Sequence, residues 1–332
     1  MKRRVGYYDI AKGIGIILVV IAHIEYMPLE MRQYIVTFHM PAFFIISGML
    51  MHLTREAERE IKPLLVNKLK RIMLPYLVFS FVYPVSYYLK YLITGEGYSP
   101  EFFLRDILVG LSMTGISVLW FLPALFFSEI IVLIIIRNLK KLPVLALCAA
   151  ILTGLWFLPL AVSFMGLFIW RMECCCVLVL TGYVLFPVIN RIQEKTIILL
   201  PVSVLLFVIL YFTGLENGIV DLHYIVLGNK FLYYLNATMG STALILLSVF
   251  IEKKLKWLSP PLQFFGRHSL FIMLTHIDFM ILYFAERLSF AVSEAVPRGK
   301  EAVFDLTATI STLSVEAVLI IIWEKLKNCS KH

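Results

Sequence analysis

The chain is poor in charge. Only 16% of its 332 residues are Asp, Glu, Lys or Arg, whereas an ordinary soluble domain carries about 25%, and 60% are hydrophobic. Together with a mean hydropathy of +0.87 this excludes a soluble protein and implies an integral membrane protein. Long polar stretches are also scarce. The weakly apolar segments 52–71 and 95–115 are each about 20 residues, too short to bury a core of their own. A single membrane domain over 1–332 is therefore expected.

Cysteine is sparse, with five in all, and no CxxC spacing occurs. Cys174, Cys175 and Cys176 sit together in an apolar run, which excludes a disulfide or metal framework and suits packing by small hydrophobes. Cys329, near the end of an apolar segment, is a weak candidate for lipidation. No small-x-small cleavage site follows the first apolar segment, although Lys2-Arg3-Arg4 precede it; His23-Ile-Glu25 follows instead, so the segment reads as retained. No internal repeat of the kind found in many transporters is visible. The net charge of +8 is scattered among apolar spans rather than gathered on one module, which argues against a nucleic-acid partner and for a lipid bilayer.

What is present is a series of apolar stretches near the roughly 20 residues that cross a bilayer. They lie at about 10–27, 34–53, 72–93, 116–136, 142–160, 164–186, 196–213, 229–251, 268–288 and 303–323. With the N-terminus cytoplasmic, the pieces 1–12, 52–71, 137–141, 187–195, 252–267 and 324–332 hold 22 of the 30 Lys and Arg, a strong inside bias. The expectation is an all-α, polytopic helical bundle of about ten transmembrane helices in the cell membrane, both termini cytoplasmic. Residues 95–115 include Tyr98-Ser99-Pro100-Glu101 and suit a short interfacial helix. The stretches near 214–228 and 287–302 are polar enough to meet a hydrophilic partner.

Polar residues inside apolar spans are costly and point to function. Lys12 and His23 lie eleven steps apart in the first span, about 16 Å along a helix and close to three full turns. Both project from nearly one face at different depths. Lys12 either snorkels to the inner interface or serves the cavity. His23, with Glu25 two residues on, is either a satisfied interior hydrogen-bonder or a base for a hydroxyl. His39 follows a short loop and reaches a similar depth, as an interfacial cap or a site residue; Pro41 suits a helix start, and Ser47-Gly48 permits close helix approach. Arg171, Glu173, His276, Asp278, Asp305 and Glu316 are further interior polar groups, either paired structurally or facing substrate. Arg171 and Glu173 share no helix face, so each needs a partner elsewhere. Lys68, Lys70 and Arg71 precede the third span, either as topogenic charge or as a cradle for phosphates.

Tyr8-Asp9-Ile-Ala-Lys12-Gly13 with His23 matches an Arg/Lys-x10-His pattern. Phe38-His39-Met40-Pro41-Ala-Phe-Phe-Ile-Ile-Ser47-Gly48 follows it. Weaker matches are Lys70-Arg71-Ile-Met-Leu-Pro75-Tyr76, Leu119-Trp120-Phe121-Leu122 and Gly266-Arg267-His268-Ser269-Leu270 with His276. In these motifs, spread over 7–276, the chain resembles acyltransferase family 3, and within it the fucose 4-O-acetylase-like sugar O-acetyltransferases. The resemblance implies a membrane O-acyltransferase that takes an acyl group from cytoplasmic acyl-CoA, commonly acetyl-CoA, to a hydroxyl of a carbohydrate at the outer face. It places His23 in acyl transfer as base or covalent carrier, and Lys12 as positive charge toward the donor. Glu25 or His39 then orient His23 or hold the sugar. Lys68, Lys70, Arg71 and Trp120 form the donor-binding set. No metal and no permanently bound cofactor is implied. The rival class is a transporter or flippase of a lipid-linked sugar, which has the same composition but consumes no acyl-CoA; a silent sensor or scaffold is the third.

Overall fold

The computed structural model describes residues 5–95, 98, 101–138, 164–277, 279–295 and 299–329. The apolar stretch expected to cross at 142–160 lies outside the described residues, as does Asp278. Among the described residues the chain is helical, with one isolated antiparallel bridge between Asp221 and Val226. Seven helices among the described residues are long and apolar enough to cross a membrane: Leu29–Leu53, Ile61–Thr94, Ser117–Arg137, Leu167–Ile192, Thr196–Asn217, Lys230–Lys254 and Lys300–Cys329. A multi-pass, all-α membrane protein results.

Two compact units divide the chain. The first comprises Met1–Ala42, Gln193–Gly218 and Met239–His332; the second comprises Phe43–Ile192 and Ile219–Thr238.

In the first unit, α1 (Gly6–Ala22) is a 17-residue helix that stops at His23. The expected span ran to residue 27, but Pro28 forces Met27 away from helical backbone and Glu25 and Tyr26 are exposed. Helix α2 (Leu29–Val36) turns at Thr37 into α3 (His39–Leu53). Against α1 packs α11 (Ser259–Arg267), and two glycines explain how closely. A Cβ on Gly13 would overlap the Leu262 carbonyl, and one on Gly266 would overlap the Asp9 carbonyl. Helix backbones meet this way only where side chains are missing. Downstream, the apolar run 268–288 was expected as one span. Instead α12 (Ser269–Thr275) and α13 (Ile281–Glu294) are separated by a break in which Met280 takes φ +60°. The final helix α14 (Lys300–Cys329) packs on α13. Ile24, Leu282, Phe304 and Ala308 form a buried apolar cluster beside the break.

In the second unit, α4 (Ile61–Lys68) and α5 (Leu74–Thr94) are joined through a π turn, Leu69–Met73. The sequence pattern left 52–71 as a cytoplasmic piece between two spans; 61–71 is helix, so helical backbone carries Lys68, Lys70 and Arg71. Pro75 supplies the reason for the π turn. It has no N–H for the Arg71 carbonyl four residues back, and a one-residue register shift absorbs the missing bond. Residues Glu101–Leu111 form α6, the short helix expected after Tyr98, and it packs on α5. Helix α7 (Phe121–Arg137) packs on α8 (Phe164–Ile192). Within this unit α3 also crosses α8 closely, because Gly48 faces the Val179 carbonyl and Gly182 faces the Ile45 carbonyl. The remaining long helices are α9 (Thr196–Asn217) in the first unit and α10 (Lys230–Lys254), whose residues belong to the second unit up to Thr238.

Candidate active site

The first unit gathers histidines at the end of α1. His23 is exposed, and its Nδ1 lies 2.7 Å from the Val19 carbonyl one turn back. A carbonyl only accepts, so Nδ1 carries the hydrogen and Nε2 is left with its lone pair. His276 repeats the pattern from the break after α12: it is 0% exposed, and its Nδ1 donates to the Ile272 carbonyl at 2.7 Å. Its ring meets His23 edge to face, centroids 5.3 Å apart and planes at 62°. His39, buried at the start of α3, donates from Nδ1 to the Ile35 carbonyl at 2.9 Å and lies within electrostatic reach of His23. Among the described residues, no group of three or more His, Cys, Asp or Glu is arranged to hold a metal ion.

The other residues expected near His23 are placed less directly. Lys12 pairs with Asp9 at 2.9 Å, one turn back on α1. Glu25 is exposed; its backbone N–H donates to Glu286 Oε1 at 3.0 Å, and Arg32 reaches its carbonyl at 3.3 Å. The contacts that place Glu25 are thus made by its backbone. Glu316, from α14, is 0% exposed and both its oxygens lie within 2.9 Å of the Thr275 hydroxyl. That ties α14 to the residue next to His276. Of the late motif, Gly266 serves the α1 crossing while His268 bonds Glu324 at 3.0 Å.

In the second unit, Lys68 is buried and its ammonium is shared by Glu129 at 2.6 Å and Glu56 at 2.9 Å. Ser47 also bonds Glu129. Lys70 and Arg71, by contrast, are exposed on the π turn. Of the three basic residues, these two have charge to offer a phosphate. Glu129 was missed in the sequence pattern; a lone carboxylate in the apolar run of α7 was the available signal. Lys68→Met should leave the buried Glu129 and half-buried Glu56 carboxylates without their cation and destabilise the protein by about 3 kcal/mol. Thermal unfolding in detergent checks it, and an unfolding temperature equal to the native protein's would show that the triad is dispensable.

Trp120 and Arg171 belong to a second cluster in this unit. Arg171 is 2% exposed yet donates from Nη1 to the Thr114 carbonyl at 2.7 Å and from Nε to the His223 carbonyl at 3.1 Å. Its guanidinium carbon sits 5.2 Å from the Trp120 ring centroid. Trp120 stacks on His223 at 5.6 Å with planes 6° apart, and Tyr224 stacks on the same ring at 4.4 Å. Asp221 closes the turn by accepting the N–H groups of His223 at 2.7 Å and Tyr224 at 3.1 Å. Burial first, and Arg171 second, push the His223 imidazole down to about 4, so it is an uncharged ring at neutral pH. Arg171 therefore finds backbone carbonyls and an aromatic face where a carboxylate partner was one expectation. His223 was invisible in the sequence because only folding brings it onto Trp120. Glu173 keeps Oε2 buried without a hydrogen-bond partner, with Lys230 within electrostatic reach.

The profile of acyltransferase family 3, described as an acyltransferase domain, matches residues 5–322. The chain belongs to acyltransferase family 3. The match runs through both compact units. No curated protein and no solved structure matches the chain. As a member of acyltransferase family 3 it is a membrane acyltransferase, and the polar residues inside its helices are to be read against acyl transfer.

Proposed function

We infer that the protein moves an acetyl group from cytoplasmic acetyl-CoA to a hydroxyl of an extracytoplasmic glycan or glycan precursor in the cell envelope. One observation carries this: His23 is exposed at the end of α1, and its Nδ1–H is committed to Val19 O, which makes Nε2 the basic nitrogen of its ring. In the reaction, Nε2 removes the hydroxyl proton as the oxygen attacks the thioester carbonyl. The C–O bond forms, the C–S bond breaks, and the proton passes from His23 to the departing thiolate, giving ester and free CoA. His39 and Glu25 assist by holding His23 or the sugar. Lys70 and Arg71 take the phosphates of CoA, since arginine meets phosphate oxygens bidentately. Lys12, already beside Asp9, adds positive charge on the same helix. The inside bias of Lys and Arg supports entry of the donor from the cytoplasm, and the resemblance to fucose 4-O-acetylase-like members supports a sugar acceptor.

Sealed membrane vesicles of defined orientation test the reading. With radiolabelled acetyl-CoA outside and a crude glycan extract trapped within, inside-out vesicles should incorporate label and right-side-out vesicles should not. Equal labelling from both faces would overturn the sidedness. Absence of CoA release under every condition would remove the acyl donor.

A further inference from the structure

The turn that carries the chain from α1 into α2 is held against α14. Ile24, next to His23, shares a buried apolar cluster with Phe304 and Ala308 of α14. The Tyr26 ring meets Phe304 edge to face, centroids 4.7 Å apart and planes at 82°. Arg32, near the start of α2, fastens the same turn: its Nη2 donates to the Ile24 carbonyl at 2.6 Å and to the Glu25 carbonyl at 3.3 Å. Among the described residues its Nε is buried without a hydrogen-bond partner. Asp305 follows Phe304 on α14 and lies within electrostatic reach of Arg32, yet its Oδ1 is likewise buried without a partner. Leaving such groups unmet is costly, and their needs are complementary: Arg32 Nε has a proton to give and Asp305 Oδ1 has a lone pair to receive one. A hydroxyl does both at once. The charges nearby select for a neutral group. Glu301 acts on Asp305 and Glu286 accepts the Glu25 N–H, which disfavours an anion, while Arg32 disfavours a cation.

We propose that Arg32 and Asp305 form a subsite for a hydroxyl of the acyl acceptor other than the one that is acylated. That hydroxyl accepts from Arg32 Nε and donates to Asp305 Oδ1; it keeps its proton and forms no bond to the acyl group. This rests on the acyl-transfer reading above and names the acceptor class for it: a neutral polyhydroxylated molecule such as a sugar, rather than a simple alcohol. Because Arg32 is anchored to the carbonyls of Ile24 and Glu25, an acceptor held there is registered to the turn that begins at His23. The orientation expected from the Lys and Arg bias puts Arg32 and the start of α14 toward the outer face, the side of the proposed acceptor.

The test uses the full chain in membranes with radiolabelled acetyl-CoA and a crude glycan extract, and reads label in glycan as each of the two is varied in turn. In Asp305→Leu, an apolar replacement of similar size, the half-saturating glycan concentration should rise about tenfold or more, the worth of a hydrogen bond to a charged group. The half-saturating acetyl-CoA concentration should move far less, and most of the loss should lie in glycan binding rather than in the maximal rate. Asp305→Asn, which keeps an acceptor oxygen, should recover part of the glycan affinity. Asp305→Ala serves if the Leu variant fails to insert. A native half-saturating glycan concentration in the Leu or Ala variant overturns the proposal. So does a loss confined to the maximal rate, which would mean that Asp305 only steadies the turn at His23. Failure of all three variants to insert would make Asp305 a structural anchor and overturns it as well. If the native protein labels no glycan and releases no CoA, the acyl-transfer reading itself falls.

Discussion

Replacing His23 by alanine is expected to abolish acyl transfer, lowering kcat/KM by about a hundredfold to ten-thousandfold, the usual worth of a positioned base. The protein should still insert and fold. His23 is exposed at the end of α1, and its hydrogen bond to Val19 O lies within its own helix, so truncation removes no packed core. His23→Gln is the sharper comparison, because it keeps a polar side chain of similar reach but cannot take a proton at neutral pH. Label from acetyl-CoA into glycan, measured beside the thermal unfolding of each purified variant, separates lost chemistry from lost structure. Activity preserved in a folded His23→Ala variant would end the catalytic role.

Valine at Gly266 is expected to destabilise the protein by about 3 kcal/mol or more, the upper end for an overpacked contact. The first atom added there would overlap the Asp9 carbonyl and approach Gly13 N, and neither is a side chain that could rotate away. Relief requires α1 and α11 to move apart. Ile10, Ala11 and Ile16, all 0% exposed on α1, would lose neighbours in the process. The Lys12–Asp9 pair sits on the same stretch, so activity should fall with stability. The yield of monodisperse protein and its unfolding temperature in detergent provide the measurement. A native-like unfolding temperature would show that the crossing has room to spare.

Hydropathy and charge spacing made the membrane class legible, because burial in lipid demands long apolar runs whatever their neighbours are. The Lys12-x10-His23 spacing and the motif around His39 were legible for a similar reason: a polar residue in an apolar run stands out locally. Boundaries were less so. The helix over 61–71 was hidden by its charges, since Lys68 reads as surface until Glu56 and Glu129 are seen to enclose it. The break in 268–288 was hidden by continuous apolarity, since Phe279 and Met280 look no different in a turn than in a helix. Arg171 illustrates the limit most clearly. An ion pair with another span was one expectation for it, while its hydrogen bonds go to the carbonyls of Thr114 and His223, which no side-chain pattern records.

From its order of residues alone this protein is a polytopic α-helical membrane protein with a histidine near the end of its first apolar segment, because hydrophobic length and residue type are properties of the chain itself. Tertiary structure alone decided which polar groups meet. His276 came to His23, Lys68 to its two carboxylates, and Arg171 to a pair of distant carbonyls. Such pairings depend on helix crossing, register and local breaks, set by glycines and prolines acting on segments far apart in sequence.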